Sequence, residues 1–280
     1  MVKKRFNVAI LTLLPLYVFS YSDPDFLIIG AMRSGTTSLY RYIMQHPNVL
    51  PALNICSING ENEHGGMMTH FFVTDFDKGI EWYRKQFPSK RTGKITGEKA
   101  PLYLFCPGVA ERVRKFYPNI KLLVILRNPI DRIFSNYRRY PIDAESFKDY
   151  LDKRNIEWLT AVLKRKDIKH INRESRQKEK SVWLEFGRYA NQLERWFRFF
   201  DRDQFLILIF EEFVVDPEFH MNRVFDFLGL PKYRLKKYKK FHFSYPKGSI
   251  KKREKIFLEK YYKSDKKKLE NLLGRKLLWN

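Results

Sequence analysis

Cysteine and acidic residues are scarce in this sequence of 280 residues. The two cysteines, Cys56 and Cys106, can form one disulfide or remain two buried thiols, and no cysteine–histidine spacing indicates zinc. Only 31 aspartates and glutamates accompany 54 lysines and arginines, which gives a net charge of +23. This excess favours polyanionic partners: nucleic acid, acidic lipid, anionic polysaccharide or a phosphorylated donor.

The N-terminus lacks an apolar run of the roughly 20 residues that span a membrane. Residues 6–21 are uncharged and follow the basic flank Lys3-Lys4-Arg5, a pattern typical of a signal peptide or short signal-anchor. We assign residues 1–22 to this possible segment and residues 23–280 to the folded domain. A buried first strand or helix is the alternative, and the near absence of a stem weakens the anchor interpretation. Membrane contact is expected only through residues 6–21.

The apolar content of 44% predicts a globular protein. Apolar, β-branched runs alternate with helical patterns, which predicts an α/β fold: a single domain with a central parallel β-sheet flanked by helices. The expected strands are 26–29, a short one around Ile95, 121–126 and 205–210. The expected helices are 36–45, 78–86, 108–117, 129–140, 182–200, 217–228 and 252–273. Residues 54–68 are expected to form a loop near the first site, and residues 144–180 a helical insert that shapes substrate specificity.

The most informative segment is the end of the first strand. A loop bracketed by Gly30 and Gly35 opens into a helical pattern, so backbone N–H groups and the helix dipole can converge on an anion. The spacing approaches the nucleotide-triphosphate loop G-x4-G-K-[ST]. However, Thr36 occupies the lysine position, and the nearest cation, Arg33, lies inside the loop. The pattern favours a different phosphorylated donor.

A second strand-turn-helix arrangement follows the run 121–126. Arg127 stands at the strand end, Asn128 suits an N-cap, and Pro129 suits the first helical position. Ser135 lies two turns into the helix, where its hydroxyl can donate to a phosphate oxygen. A nucleotide triphosphatase would place a magnesium-binding carboxylate near this strand end. An arginine there indicates anion binding without a metal.

With both loops in view, the chain resembles sulfotransferases that use 3′-phosphoadenosine 5′-phosphosulfate (PAPS), especially the heparan sulfate N- and O-sulfotransferases and their bacterial relatives. The resemblance implies their P-loop-like nucleotide-binding fold, with PAPS as donor and no metal. It covers the chain from about residue 26 to the C-terminus, including the run from Phe210 to Pro231 and the ending at Trp279. The donor-binding residues it implies are Arg33, Ser34, Gly35, Thr36, Thr37, Ser38, Arg127, Ser135, Lys247 and Gly248.

The resemblance also implies four catalytic residues: Glu98, Arg33, His70 and Lys99. Glu98, in the run Thr96 to Tyr103, would take the acceptor's proton as general base. Arg33 would neutralise charge on the bridging oxygen as the leaving group departs, and Lys99 or His70 could assist. His70 is the alternative base. Here Met67-Met68-Thr69 precede it, where many members of the family carry a charged pair.

The expected function is therefore transfer of a sulfonate group from PAPS to a hydroxyl or amine of a carbohydrate, on a glycosaminoglycan-like, anionic glycan. The net charge of +23 suits both substrates, and residues 232–268 contain 16 basic residues against three acidic ones. No nucleic acid partner is expected. A catalytically inactive glycan-binding protein and a nucleotide kinase are the alternatives. A lumenal catalytic domain at the Golgi membrane is the expected location, with the cytoplasm as the alternative.

Overall fold

The computed structural model describes residues 21–53, 70–89, 93–139, 145–152, 182–236, 238 and 249–279. The predicted anchor at 1–22 lies almost wholly outside these residues, as does most of the predicted insert at 144–180. Within the described residues, no helix combines the length and the apolar character needed to cross a bilayer.

Five strands and ten α-helices make up the described part of the chain. The strands are β1 (Phe26–Gly30), β2 (Val49–Leu50), β3 (Ile95–Lys99), β4 (Lys121–Leu126) and β5 (Phe205–Ile209). The helices are α1 (Thr36–Ile43), α2 (Ile80–Arg84), α3 (Val109–Phe116), α4 (Pro129–Arg139), α5 (Phe147–Asp152), α6 (Val182–Glu185), α7 (Tyr189–Phe197), α8 (Phe210–Val215), α9 (Pro217–Leu228) and α10 (Lys252–Leu273). A π-helical turn (Phe71–Asp75) and a 3-10 turn (Phe76–Lys78) precede α2, and another 3-10 turn (Arg202–Gln204) precedes β5.

The strands form one parallel sheet in the order β2-β3-β1-β4-β5, which confirms the predicted fold class. Every residue of β1 is buried, and in β4 only Lys121 is not, as expected for central strands covered by helices on both faces. The chain continues from β1 to β2 on one side and later crosses to β4 on the other. This switch point opens a crevice at the carboxyl ends of the strands, where ligands of open α/β sheets bind.

Several details differ from the sequence prediction. Strand β2 was not expected because two residues give no periodicity. The single helix predicted over 182–200 is wrong: it divides into α6 and α7 at Gly187, whose Cα lies so close to Tyr262 that an added Cβ would be 2.7 Å from the hydroxyl. The last predicted strand ends one residue early, because Phe210 already begins α8.

The predicted insert is described only in its first part, where α5 buries Phe147, Tyr150 and Leu151. Tyr150 accepts a hydrogen bond from the Asn136 amide at 2.7 Å, which joins α5 to α4. Residues 147–152 thus form a helix with one buried face, and the rest of the insert and its effect on specificity stay predictions. The polar loop predicted at 54–68 lies outside the described residues.

Candidate active site

The loop after β1 forms a concave turn that leads directly into α1. Arg33 and Gly35 both have left-handed backbone conformations, with φ of 66° and 91°. At Gly35 a Cβ atom would lie 2.8 Å from the ring of Phe210, so conformation and space both require glycine. The first turn of α1, whose backbone N–H groups lack partners within the helix, therefore begins just beyond the carboxyl end of β1, a position that suits an anion.

Three predicted donor-binding side chains meet at this loop. The Arg33 guanidinium donates a hydrogen bond to Ser135 Oγ at 3.1 Å, although the two residues are 102 positions apart. Arg127 Nη1 lies 3.5 Å from the Arg33 carbonyl oxygen, and its guanidinium stacks 4.8 Å from the centre of the Phe210 ring. Two cations and a hydroxyl thus converge where β1 and β4 end. Such a group is able to bind a phosphate or sulfate.

Side chains behind this group hold it in place. The Tyr189 hydroxyl, at the start of α7, donates to the Arg127 carbonyl at 2.9 Å and lies beside the buried Ser34. Asn128 caps α4 as predicted, since its Oδ1 accepts the Ile130 N–H at 2.9 Å. Its own N–H donates to Glu211. These contacts fix the direction in which Arg127 leaves the strand.

Lys99 approaches the same loop from β3. Its ammonium group donates to Thr37 Oγ1 at 3.1 Å, and only 4% of the residue is exposed. Burial, assisted by repulsion from Arg41 and Arg33, lowers the pKa of Lys99 to about 8. A lysine with this pKa is mostly charged at neutral pH and can still exchange its proton within the physiological range.

Glu98 lies next to Lys99 but faces the other side of the sheet, because successive residues of a strand alternate. Its Oε1 accepts hydrogen bonds from the hydroxyls of Tyr83 at 2.7 Å and Tyr103 at 2.8 Å, and the residue is 1% exposed. The Tyr103 oxygen also accepts the N–H of Phe72 at 3.4 Å. Glu98 is therefore tied to the segment that carries His70.

His70 begins the π-helical turn and is 6% exposed. Within the described part of the chain, neither ring nitrogen has a hydrogen-bond partner. Burial and the neighbouring Lys99 lower the pKa of His70 to about 4, with Asp75 acting in the opposite direction. The imidazole is consequently neutral at pH 7, with one ring nitrogen unprotonated.

A comparison with protein families matches residues 23–271 to the sulfotransferase domain. The chain belongs to the sulfotransferase family. The match begins before β1 and ends within α10, so it contains all five strands and both predicted donor-binding loops, and it confirms the predicted family.

Individual sulfotransferases are similar over most of this chain. Mouse heparan sulfate glucosamine 3-O-sulfotransferase 6 is 30% identical over 227 residues, which are 80% of this chain and 57% of the relative. The human 3-O-sulfotransferase 3B1 of the same series is 32% identical over 227 residues, which are 80% of this chain and 50% of the relative. The chain thus spans about half the length of these curated relatives. A crystal structure of a sulfotransferase from Alicyclobacillus acidocaldarius has a TM-score of 0.68 and 26% identity, covering 91% of this chain and 98% of that one.

Some of the predicted sulfotransferase residues lie outside this cluster or outside the described structure. Lys247 and Gly248 are not among the described residues, and neither are Met67 and Met68. Thr36 is buried at the start of α1, and Ser38 is half-buried in its first turn. The described residues contain no group of three or more histidine, cysteine or acidic side chains that could hold a metal.

Sequence reasoning missed the residues that support the site. Tyr83, Tyr189 and Phe210 each contact a predicted site residue over a long sequence separation. Tyrosines and phenylalanines are common in this sequence, so their spacing carried no signal.

Arg188 forms an ion pair with Glu185 at 3.5 Å, the surface role that its position beside an aromatic helix favours. Cys106 is a free, buried thiol, and Cys56 lies outside the described residues.

Proposed function

We propose that this sulfotransferase moves a sulfonate group from PAPS to a hydroxyl or amine of a carbohydrate, on an anionic, glycosaminoglycan-like chain. The observation that carries the proposal is the convergence of Arg33, Arg127 and Ser135 at the two strand ends. The curated relatives are named for sulfation of glucosamine in heparan sulfate at the 3-oxygen. Their names make a sugar hydroxyl the first acceptor to test, with N-sulfation as the second.

The residues present suit the two ends of the donor. The glycine loop and the first turn of α1 would bind the 5′-phosphosulfate, and Arg127 with Ser135 would bind the 3′-phosphate. Basic groups stand where a magnesium-dependent enzyme needs a carboxylate. The proposed transfer accordingly relies on arginine and lysine for charge stabilisation.

The reaction needs one bond to form and one to break. The acceptor oxygen attacks the sulfur in line with the bridging oxygen, the S–O bridge breaks, and adenosine 3′,5′-bisphosphate (PAP) leaves with the bonding electrons. Arg33 and Lys99 would stabilise the charge that develops on that oxygen. The acceptor's proton passes to a base, for which Glu98 and His70 are the candidates.

Glu98 is the base that the family resemblance predicts. Its carboxylate adjoins Lys99 in sequence and is held by two tyrosine hydroxyls, an arrangement that fixes its position. Both hydroxyls bind Oε1 and the residue is 1% exposed, so the acceptor would have to reach a buried carboxylate.

His70 is the competing base, favoured by one specific observation. Its neutral imidazole has no hydrogen-bond partner among the described residues. Burial and Lys99 disfavour its protonation, whereas Asp75 favours it. In this alternative Glu98 positions the turn through Tyr103, whose oxygen binds the Phe72 N–H.

A transfer assay with labelled PAPS and a panel of heparan-type glycans tests the proposal. We expect labelled product with at least one glycan. The base is then identified by the variant, Glu98→Gln or His70→Asn, that loses turnover but still binds PAP. Unchanged turnover in Glu98→Gln would eliminate Glu98. Glycan binding without PAPS-dependent turnover would support the inactive binder, and phosphate transfer from ATP would support a kinase.

The cellular location of this activity stays a prediction. A lumenal domain at the Golgi membrane agrees with a glycan acceptor, and the cytoplasm is the alternative. Fractionation of cells that express the full chain, followed by protease protection of intact vesicles, would distinguish the two.

A further inference from the structure

The helix α10 has two faces of opposite character. Its inner face packs into the domain through Leu258, Tyr262, Asp265 and Leu269, all buried. Tyr262 donates to the Leu184 carbonyl at 2.9 Å, and the Asp265 carboxylate accepts the Ala190 N–H at 3.2 Å. The inner face is therefore fully used in packing, and the helix is held in a fixed orientation.

The outer face of α10 is a line of exposed cations. At 100° per residue, five basic residues fall within about a third of the helix circumference, opposite the buried face. They are Lys252, Arg253, Lys260, Lys263 and Lys267, all exposed. From Lys252 to Lys267 the line extends about 22 Å at 1.5 Å per residue.

The carboxylates nearest this line pair with other lysines. Glu259, at the edge of the outer face, pairs with Lys255 at 3.7 Å, and Glu270, at the C-terminal end of the line, pairs with Lys276 at 3.5 Å. Within the described residues, none of the five cations of the outer face has an ion-pair partner. Five like charges on one helix repel one another, so a bound polyanion would relieve that repulsion.

We propose that the outer face of α10 binds a segment of an anionic polysaccharide, as a second point of contact with the acceptor polymer. This inference rests on the proposed function. Four of the five cations are lysines, compact point charges suited to sulfate and carboxylate groups, whereas base recognition in nucleic acids favours arginine.

A membrane surface is the less suitable partner for this face. An interfacial helix inserts its apolar face into the lipid, but the apolar face of α10 is already buried in the domain. Ile256 and Phe257 are exposed only near its N-terminal end, and the following three turns of the outer face present lysines. A polymer held at both α10 and the reaction site would gain affinity through its high local concentration.

The test compares two triple variants with equal loss of charge. Lys260→Gln, Lys263→Gln and Lys267→Gln together remove the centre of the line and keep residues that favour a helix. A control triple replaces three exposed lysines elsewhere by glutamine: Lys115, Lys232 and Lys236. Affinities for a long heparin chain and a heparin tetrasaccharide are measured across a salt series, and PAP binding verifies that each variant is folded.

We expect the α10 triple to weaken binding of the long chain about tenfold, and to lower the slope of log affinity against log salt by about two. Tetrasaccharide and PAP binding should not change, and the control triple should lose less than about twofold. Equal losses in both triples would overturn the proposal. So would a loss confined to anionic phosphatidylserine vesicles or duplex DNA. Because binding is read without turnover, absence of sulfonate transfer would refute the proposed function separately.

Discussion

The lowered pKa of Lys99 predicts a loss of activity in mildly alkaline solution. Burial and two neighbouring arginines bring this pKa from 10.5 to about 8, equivalent to about 3 kcal/mol against the charged form. If the ammonium group stabilises the leaving oxygen, only the protonated enzyme transfers sulfonate. The second-order constant kcat/KM for PAPS should thus fall above about pH 8, approaching tenfold per pH unit.

Bound donor should move this transition. PAPS carries negative charge beside the lysine, which favours the ammonium form and raises its pKa. The decline in kcat at saturating donor should therefore occur at a higher pH than the decline in kcat/KM. Initial rates between roughly pH 6 and roughly pH 10, at constant ionic strength, give both profiles.

Two variants make the assignment specific. Lys99→Arg keeps its charge throughout this range, so its kcat/KM should not decline near pH 8. Lys99→Met lacks the charge at every pH and should lose about 10²- to 10³-fold in kcat. A wild-type profile that stays flat to about pH 10, or the same decline in Lys99→Arg, would refute this role.

Three further predictions concern the fold around the site. Gly35→Ala should weaken PAP binding and lower the free energy of unfolding in urea by about 1–3 kcal/mol, because the φ of Gly35 is 91° and an added Cβ would meet Phe210. Gly108→Ala, where φ is 76° and the space is open, controls for backbone strain alone. Equal losses of stability in the two variants would contradict the packing argument. Burial raises the pKa of Asp265 to about 6, so the unfolding free energy should fall by at most about 3 kcal/mol as pH rises from about 4 to about 6. Asp265→Asn should remove this fall in the unfolding free energy. The same fall in the variant would contradict its assignment to Asp265. Burial raises the pKa of Cys106 to about 12, so iodoacetamide should not modify this thiol in the native protein. Mass spectrometry detects the modification, and labelling without denaturant would show that the core around Cys106 opens.

The parts of the fold that could be predicted are those fixed by local sequence. The glycine loop, the apolar runs of β1 and β4 and the cap at Asn128 depend on neighbouring residues, and each was confirmed. The break between α6 and α7 could not be predicted, because it depends on Gly187 meeting Tyr262 from α10.

The candidate site also has features that the sequence predicts and features that it does not. Its proposed anion-binding residues follow strand ends, where the pattern of an α/β sheet predicts ligand contacts. The geometry that relates them, such as Arg33 reaching Ser135 and Tyr83 holding Glu98, arises from packing between distant segments. Burial of Lys99 and His70 also follows from tertiary packing, so their shifted pKa values could not be predicted from their neighbours in sequence.

Calorimetric titration of the purified protein with PAP, with ATP and magnesium as the control, tests the central claim most directly. We predict tight binding of PAP, weak or absent binding of ATP, and loss of PAP binding in Arg127→Ala without a change in thermal stability. Preference for ATP, or PAP affinity that survives Arg127→Ala, would contradict the assignment of this crevice to a 3′-phosphorylated sulfate donor.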